Sequence, residues 1–165
     1  MENNSDRHPR RTFRKQNRLP EYDYSAPGYY FITICTDEHK TYFGQIHAGH
    51  EQNAPALMHL SPAGQIVSDA ICAIPQHYQA VRVDKYVVMP NHVHLILVLE
   101  PSEHAVRISR IVQQLKRVVT IRLGKSVWQL GFHDHIIRQE ADYREIWTYI
   151  DNNPCKWALD KYYRE

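Results

Sequence analysis

Two histidines that stand two residues apart are the side chains whose spacing first suggests chemistry. His92 and His94 belong to an apolar run at residues 92–99, which is typical of a β-strand. Successive side chains of a strand point to opposite faces, so both imidazoles should project from the same face. Two adjacent imidazoles can bind one cation, which needs a third ligand and an open position to act on a substrate. The alternative is a pair of surface histidines on a half-solvated strand, since two residues make a weak motif.

A tyrosine and an asparagine on a predicted C-terminal helix supply further candidates. The apolar residues that should face the core from residues 142–152 are Tyr143, Ile146, Trp147 and Ile150. Tyr149 lies off this stripe, and Asn153 stands four residues later, so the two are neighbours on the helix surface. A phenol can attack phosphorus, and an amide oxygen can bind a hard cation. The alternative is a tyrosine that packs partly on the core.

A second histidine pair, His133 and His135, brackets an aspartate. It could complete a four-histidine zinc site with His92 and His94. No feature of the sequence brings the two pairs together, so we favour a structural or DNA-facing role for His135.

Basic residues are concentrated in two places, although the net charge is only +2. Residues 1–20 hold six basic and two acidic residues and lack apolar periodicity, so we predict a disordered arm. Such an arm can grip a polyanion, or it can simply keep the chain in solution. The arm residues predicted to contact DNA are Arg7, Arg10, Arg11, Arg14, Lys15 and Arg18.

The second basic element, at residues 105–125, holds six basic residues and no acidic one. Its apolar residues Ile108, Ile111, Val112, Leu115 and Val119 recur at helical spacing and should face the core. Arg107, Arg110 and Arg117 fall together on another face, which predicts an amphipathic helix with a cationic outer side. The predicted DNA contacts outside the arm are Arg107, Arg110, Lys116, Arg117 and Arg138.

Length and composition indicate one globular domain. The chain has 165 residues, of which 43% are hydrophobic, enough for a core. No apolar run approaches the roughly 20 residues of a membrane helix. Three scattered cysteines argue against a disulfide framework, and no signal peptide is evident. We therefore expect a cytoplasmic protein with no membrane partner.

The order of predicted elements indicates a ferredoxin-like α+β sandwich. Strands are expected at residues 29–36, 81–89, 92–99 and within 126–138, with helices after Ser61 and across 105–125. A hairpin at residues 42–60 and the C-terminal helix, with Asp142 and Glu145 as a capping pair, are additions. We thus predict an arm at residues 1–20 and one domain at residues 21–165, built on an antiparallel sheet.

Several motifs, taken in order, resemble the single-tyrosine HUH transposases, and most closely their REP-associated tyrosine transposase branch. They are YFITICT at residues 30–36, YVVMPNHVH at 86–94, VWQ at 127–129, DHIIR at 134–138 and YIDNNP at 149–154. The resemblance covers nearly the whole chain beyond residue 20. Insertion-sequence members of the family carry glutamine four residues after the tyrosine, where this chain has Asn153.

The resemblance implies an endonuclease and strand transferase that acts on single-stranded or hairpin DNA in the bacterial or archaeal cytoplasm, near the nucleoid. Tyr149 would attack the scissile phosphate and form a 5′-phosphotyrosine link. His92, His94 and Asn153 would hold Mg²⁺ or Mn²⁺. Two alternatives stay open, namely a domesticated hairpin-binding protein that no longer cuts and a hydrolytic metal phosphodiesterase. A homodimer and a monomer are equally compatible with the sequence.

Overall fold

The computed structural model describes residues 22–47 and 55–163, and the predicted arm at residues 1–20 lies outside them. The strands are β1 (Gly28–Cys35), β2 (Gly44–His47), β3 (Leu57–Leu60), β4 (Val81–Met89), β5 (His92–Leu99) and β6 (His133–Ile137). The helices are α1 (Pro62–Cys72), α2 (Ile74–His77), α3 (Ile108–Leu123) and α4 (Glu140–Asn152). Short 3₁₀ segments lie after β1, at Asp37–His39, and after α4, at Pro154–Leu159.

Four strands form one antiparallel sheet in the order β4-β5-β1-β6. β1 is central and pairs with β5 on one side and β6 on the other. This order, with α1 and α2 between β1 and β4 and with α3 between β5 and β6, is the split βαβ arrangement. The predicted ferredoxin-like α+β fold is therefore confirmed, and β2 and β3 form the predicted separate hairpin.

The two faces of the sheet are covered by different helices. α1 and α3 pack on one face, where the main core includes Ile32, Leu95, Leu97 and the apolar stripe of α3. α4 packs on the other face, where Ile146 and Ile150 lie against Ile96 of β5 and Ile137 of β6. Alternate residues of β5 thus belong to different cores, and all eight are buried.

Local signals account for the start of α1 and the end of α3. The Ser61 side chain accepts a hydrogen bond from the backbone N–H of Gly64 at 3.1 Å and so caps α1. Gly124 ends α3 with a φ of 70°, a left-handed conformation that glycine adopts without a steric penalty. The predicted Asp142–Glu145 capping pair is wrong. The N-cap of α4 is Gln139, three residues earlier, and the Asp142 carboxylate instead accepts a hydrogen bond from His135.

None of the helices in the described part of the chain has the length and apolar character that crossing a membrane requires.

Candidate active site

The histidine pair projects from the sheet face that α4 covers. Val93, Leu95 and Leu97 point into the core with α1 and α3, so His92 and His94 point the other way. Their ring centroids are 4.5 Å apart. Both side chains are fully buried rather than half-solvated, because α4 and the segment that follows it pack over them. The alternative of two surface histidines is therefore wrong.

Helix α4 brings Tyr149 to His94. The Tyr149 hydroxyl lies 3.2 Å from Nε2 of His94, and the two rings meet edge to face at 5.1 Å. Phe31 of β1 stacks on His94 and meets Tyr149 edge to face, which holds both rings in place. Tyr149 remains 38% exposed, so it is the part of this aromatic group that solvent can approach.

Asn153 and Asp160 complete the group of polar side chains. Asn153 is buried at the end of α4, and its Nδ2 donates to Oδ2 of Asp160 at 3.0 Å. The Tyr149 hydroxyl also donates to Asp160 Oδ2, at 3.3 Å. Sequence reasoning missed Asp160, because a six-residue 3₁₀ segment separates it from α4 and no helical or strand period links it to Tyr149.

The remaining atoms of these side chains form a set of cation ligands. His92, His94 and Asp160 each offer one ligand atom, and these atoms lie within 4.8 Å of one another. Among the described residues, His92 Nε2 and Asn153 Oδ1 are buried and have no hydrogen-bond partner. A buried acceptor without a donor is costly, and a cation that both atoms bind would remove that cost. Two imidazoles with oxygen ligands suit a divalent cation.

Burial dominates the electrostatics of the site. Burial lowers the pKa of His92 to about 4. Burial, and then the neighbouring His92, holds the pKa of His94 well below its usual range. Both imidazoles are therefore neutral near pH 7, the form that binds metals. Burial, and then the Asp160 carboxylate, raises the pKa of Tyr149 to about 12, so the phenol keeps its proton at pH 7 until a cation or base assists.

Aromatic side chains from the C-terminal segment form a roof over the histidines. The Tyr162 ring lies 4.7 Å from the His92 ring, and Trp157 lies 6.0 Å from it. His39 stacks on Tyr162, with the ring centroids 5.6 Å apart. These rings exclude water from His92 and account for its depressed pKa.

The second histidine pair does not join the first. His94 pairs with Thr33 of β1, and Thr33 pairs with His133 of β6, so β1 separates the two pairs on the same sheet face. Paired strands are about 4.8 Å apart, which leaves His133 roughly two strand spacings from His94. The four-histidine site is therefore wrong. His135 Nε2 donates to Asp142 Oδ2 at 2.8 Å, which gives it a structural contact between β6 and α4.

The predicted DNA contacts occupy other surfaces. Arg107, Arg110 and Arg117 are exposed on α3, across the sheet from Tyr149, and Arg138 is exposed just after β6. Lys116 is partly buried, and its ammonium donates to the carbonyls of Gln129 at 2.7 Å and Gly131 at 2.5 Å. The six basic residues of the arm lie outside the described part of the chain.

The fold and site together define an α+β protein with a ferredoxin-like sheet, a buried histidine pair and a tyrosine on the covering helix. A protein of Haemophilus influenzae, itself uncharacterized, is 34% identical to this chain over 91% of its length and 93% of the relative's. The chain belongs to the same family as that protein. No protein-family model matches it.

Two further comparisons connect this family with transposases. The REP-associated tyrosine transposase of Escherichia coli K12 is 30% identical over 93 residues, which span 50% of this chain and 55% of that protein. A solved structure of a REP-associated tyrosine transposase bound to a REP hairpin superposes with a TM-score of 0.60 at 27% identity. It covers 87% of this chain and 77% of that one. The likeness therefore extends over the fold that carries the site.

Proposed function

We propose that this protein is a metal-dependent endonuclease and strand transferase for single-stranded or hairpin DNA, of the single-tyrosine HUH type, with Tyr149 as its nucleophile. The observation that carries the proposal is the 3.2 Å contact between the Tyr149 hydroxyl and His94 Nε2. It joins a nucleophile to a ligand of the candidate cation site. The likeness to a transposase solved with a DNA hairpin supports DNA as the substrate.

The ligands of the proposed site are His92, His94, Asn153 and Asp160. Bound there, Mg²⁺ or Mn²⁺ would withdraw charge from the phosphate oxygens and favour the ionised phenol. Imidazole ligands favour Mn²⁺ over Mg²⁺, which prefers oxygen and water. The imidazoles and the amide are uncharged, and the Asp160 carboxylate offsets one unit of charge, so a net positive charge remains to act on the phosphate.

The reaction is a transesterification at phosphorus. The Tyr149 oxygen forms a bond to the phosphorus, the bond from phosphorus to the 3′ oxygen breaks, and the strand leaves with a 3′-OH. The Tyr149 hydroxyl donates to Oδ2 of Asp160, which can accept the phenolic proton and pass it to the leaving 3′ oxygen. Attack of a 3′-OH on the phosphotyrosine reverses the same exchange and joins two strands. No external energy source is needed, because one phosphodiester replaces another.

The basic surfaces have a separate task in this proposal. Arg107, Arg110 and Arg117 hold DNA phosphates on the outer side of α3, the face of the sheet opposite Tyr149. DNA that reaches both places must therefore pass around an edge of the sheet. Arg138 follows β6, which is one such edge. The arm at residues 1–20 adds further contacts to phosphate.

The proposal is tested by incubating the protein with 5′- or 3′-labelled hairpin DNA and Mn²⁺. Denaturing electrophoresis then detects any covalent adduct between protein and DNA. The wild type and Tyr143→Phe should form a covalent adduct, and Tyr149→Phe should form none while binding DNA within several-fold of wild type. Tyr143 is the matched control, because it lies on the same helix but donates to Asp84. Cutting without an adduct would indicate a hydrolytic phosphodiesterase. Binding without cutting would indicate a hairpin-binding protein.

A further inference from the structure

Asn91 is a fully buried residue in the turn between β4 and β5, directly before His92. Its Nδ2 donates to the backbone carbonyl of His39 at 3.0 Å and to that of Tyr162 at 2.8 Å. Its Oδ1 lies 2.8 Å from Nδ1 of His92. One amide group thus contacts the 3₁₀ segment at Asp37–His39, Tyr162 of the C-terminal segment, and His92.

The two carbonyls determine which way the amide faces. A backbone carbonyl oxygen can only accept a hydrogen bond, so the NH₂ group must face both of them. The opposite orientation would set the amide oxygen against two acceptors in a buried place and lose two hydrogen bonds. The amide oxygen of Asn91 therefore faces His92.

The amide orientation in turn determines the tautomer of His92. The side-chain oxygen of Asn91 can only accept, so Nδ1 of His92 must carry the proton. A neutral imidazole has one N–H, which leaves Nε2 with a free lone pair. In this tautomer Nε2 is an acceptor like Asn153 Oδ1, and both atoms are buried and without hydrogen-bond partners among the described residues.

We propose that Asn91 is a positioning residue, which holds His92 in the one tautomer whose Nε2 can bind a cation. This inference rests on the proposed function, because it assigns a role toward the metal that the site would hold. His94 has no equivalent control, since its Nδ1 lies 2.8 Å from the Thr33 hydroxyl, which can donate or accept. Asn91 also donates to the backbone carbonyl of Tyr162, so the same amide positions His92 and the aromatic ring that covers it.

The tautomer can be read directly in metal-free protein. Nitrogen-15 NMR of histidine-labelled chain, treated with EDTA near pH 7.5, distinguishes a protonated ring nitrogen from one with a lone pair. The His92 signals are assigned as those lost in His92→Gln. We expect protonated Nδ1 and unprotonated Nε2 at His92. A protonated Nε2 in the wild type would overturn the inference, whatever the variants do.

Two variants of Asn91 give opposite expectations. Asn91→Ala removes the acceptor, so we expect the proton to move to Nε2, which can then donate to Asn153 Oδ1. Loss of a hydrogen-bond partner of a metal ligand weakens metal binding by about 10- to 100-fold, and we expect a loss of that size in the Mn²⁺ affinity of Asn91→Ala. Electron paramagnetic resonance of the free ion measures this affinity. Asn91→Asp keeps an acceptor beside Nδ1, so it should keep the wild-type tautomer, although it loses both hydrogen bonds to the backbone carbonyls and should lower the stability of the fold.

The matched control is Asn152→Ala, which removes an asparagine whose Nδ2 donates to the Thr148 carbonyl within α4. It should change neither the His92 spectrum nor the Mn²⁺ affinity. An Asn91→Ala variant that keeps the wild-type tautomer and Mn²⁺ affinity would overturn the inference. If that variant fails to fold, the His92 spectrum of the wild type alone decides. Failure of the proposed function looks different. In that case His92 carries its proton on Nδ1, yet the wild type binds no Mn²⁺.

Discussion

The hydroxyl of Tyr149 lies 3.2 Å from Nε2 of His94, although 55 positions separate the two residues in the chain. The contact exists because α4 crosses the sheet face from which the histidines project. It places the proposed nucleophile beside a proposed cation ligand, so both can meet the same phosphate. The carboxylate of Asp160 touches the same hydroxyl and makes its chemistry dependent on the C-terminal segment.

Asp160→Asn should lower the pKa of the Tyr149 phenol in metal-free protein. The carboxylate disfavours the phenolate by its charge, and asparagine removes that charge at nearly the same volume. We expect the pKa to fall from about 12 toward 10 but to stay above 10, since burial is the larger cause. Carbon-13 NMR of labelled tyrosine across pH 8–12 measures it, with Tyr149→Phe to assign the signal. An unchanged titration would show that Asp160 does not act on the phenol.

Acid should destabilise the metal-free protein partly through His92. Its pKa is about 4 in the folded chain and near 6.5 in the unfolded chain. Between these values the unfolded chain binds a proton that the folded chain does not. The free energy of unfolding therefore falls as pH drops from 6.5 toward 4, by at most about 1.4 kcal/mol per pH unit for this histidine.

Urea unfolding in EDTA at several pH values measures this effect. His92→Gln should show a shallower loss of stability over that pH window than the wild type. The exposed His104, changed to Gln, serves as the control and should keep the wild-type slope. Parallel curves for the wild type and His92→Gln would contradict the prediction.

Lys116 and Arg117 are neighbours that should respond differently to substitution. Lys116→Met removes an ammonium bound to two loop carbonyls, so it should cost about 1–3 kcal/mol of stability and leave the salt dependence of DNA binding unchanged. Arg117→Met removes an exposed charge, so stability should hold while the log–log salt slope falls by roughly 0.7 for single strands. Chemical denaturation and salt-dependent fluorescence anisotropy measure the two effects. A reduced salt slope in Lys116→Met would show that Lys116 contacts DNA phosphates, as the sequence predicts.

Removal of residues 1–20 should weaken DNA binding and flatten its salt dependence. The six basic residues of the arm release counterions when they meet phosphates, and each contact adds roughly 0.7 to the slope for single strands. A full-length chain with these six residues changed to glutamine is the matched control for charge and should lose the same slope. An unchanged slope in the truncated chain would mean that the arm only aids solubility.

Much of this architecture can be predicted from the sequence, because it depends on the regular spacing of apolar residues within single strands and helices. Strand alternation placed His92 and His94 on one face, and helical spacing put Tyr149 off the buried stripe of α4. The same periods predicted the core stripe of α3 and the boundaries of β4 and β5, which the structure reproduces. Such patterns work because a strand or amphipathic helix must bury one side against a partner.

Tertiary structure alone decided how these faces combine. Asp160 reaches Tyr149 only because the chain folds back after α4, and no period in the sequence encodes that return. The burial that shifts the pKa of His92 comes from Tyr162, 70 residues away, and from α4. The sequence predicted a cationic side of α3, yet only the packing of α3 and α4 on different faces of the sheet places it opposite the tyrosine. The role proposed for Asn91 depends on two carbonyls that long-range packing brings to its amide, and no local pattern predicts them.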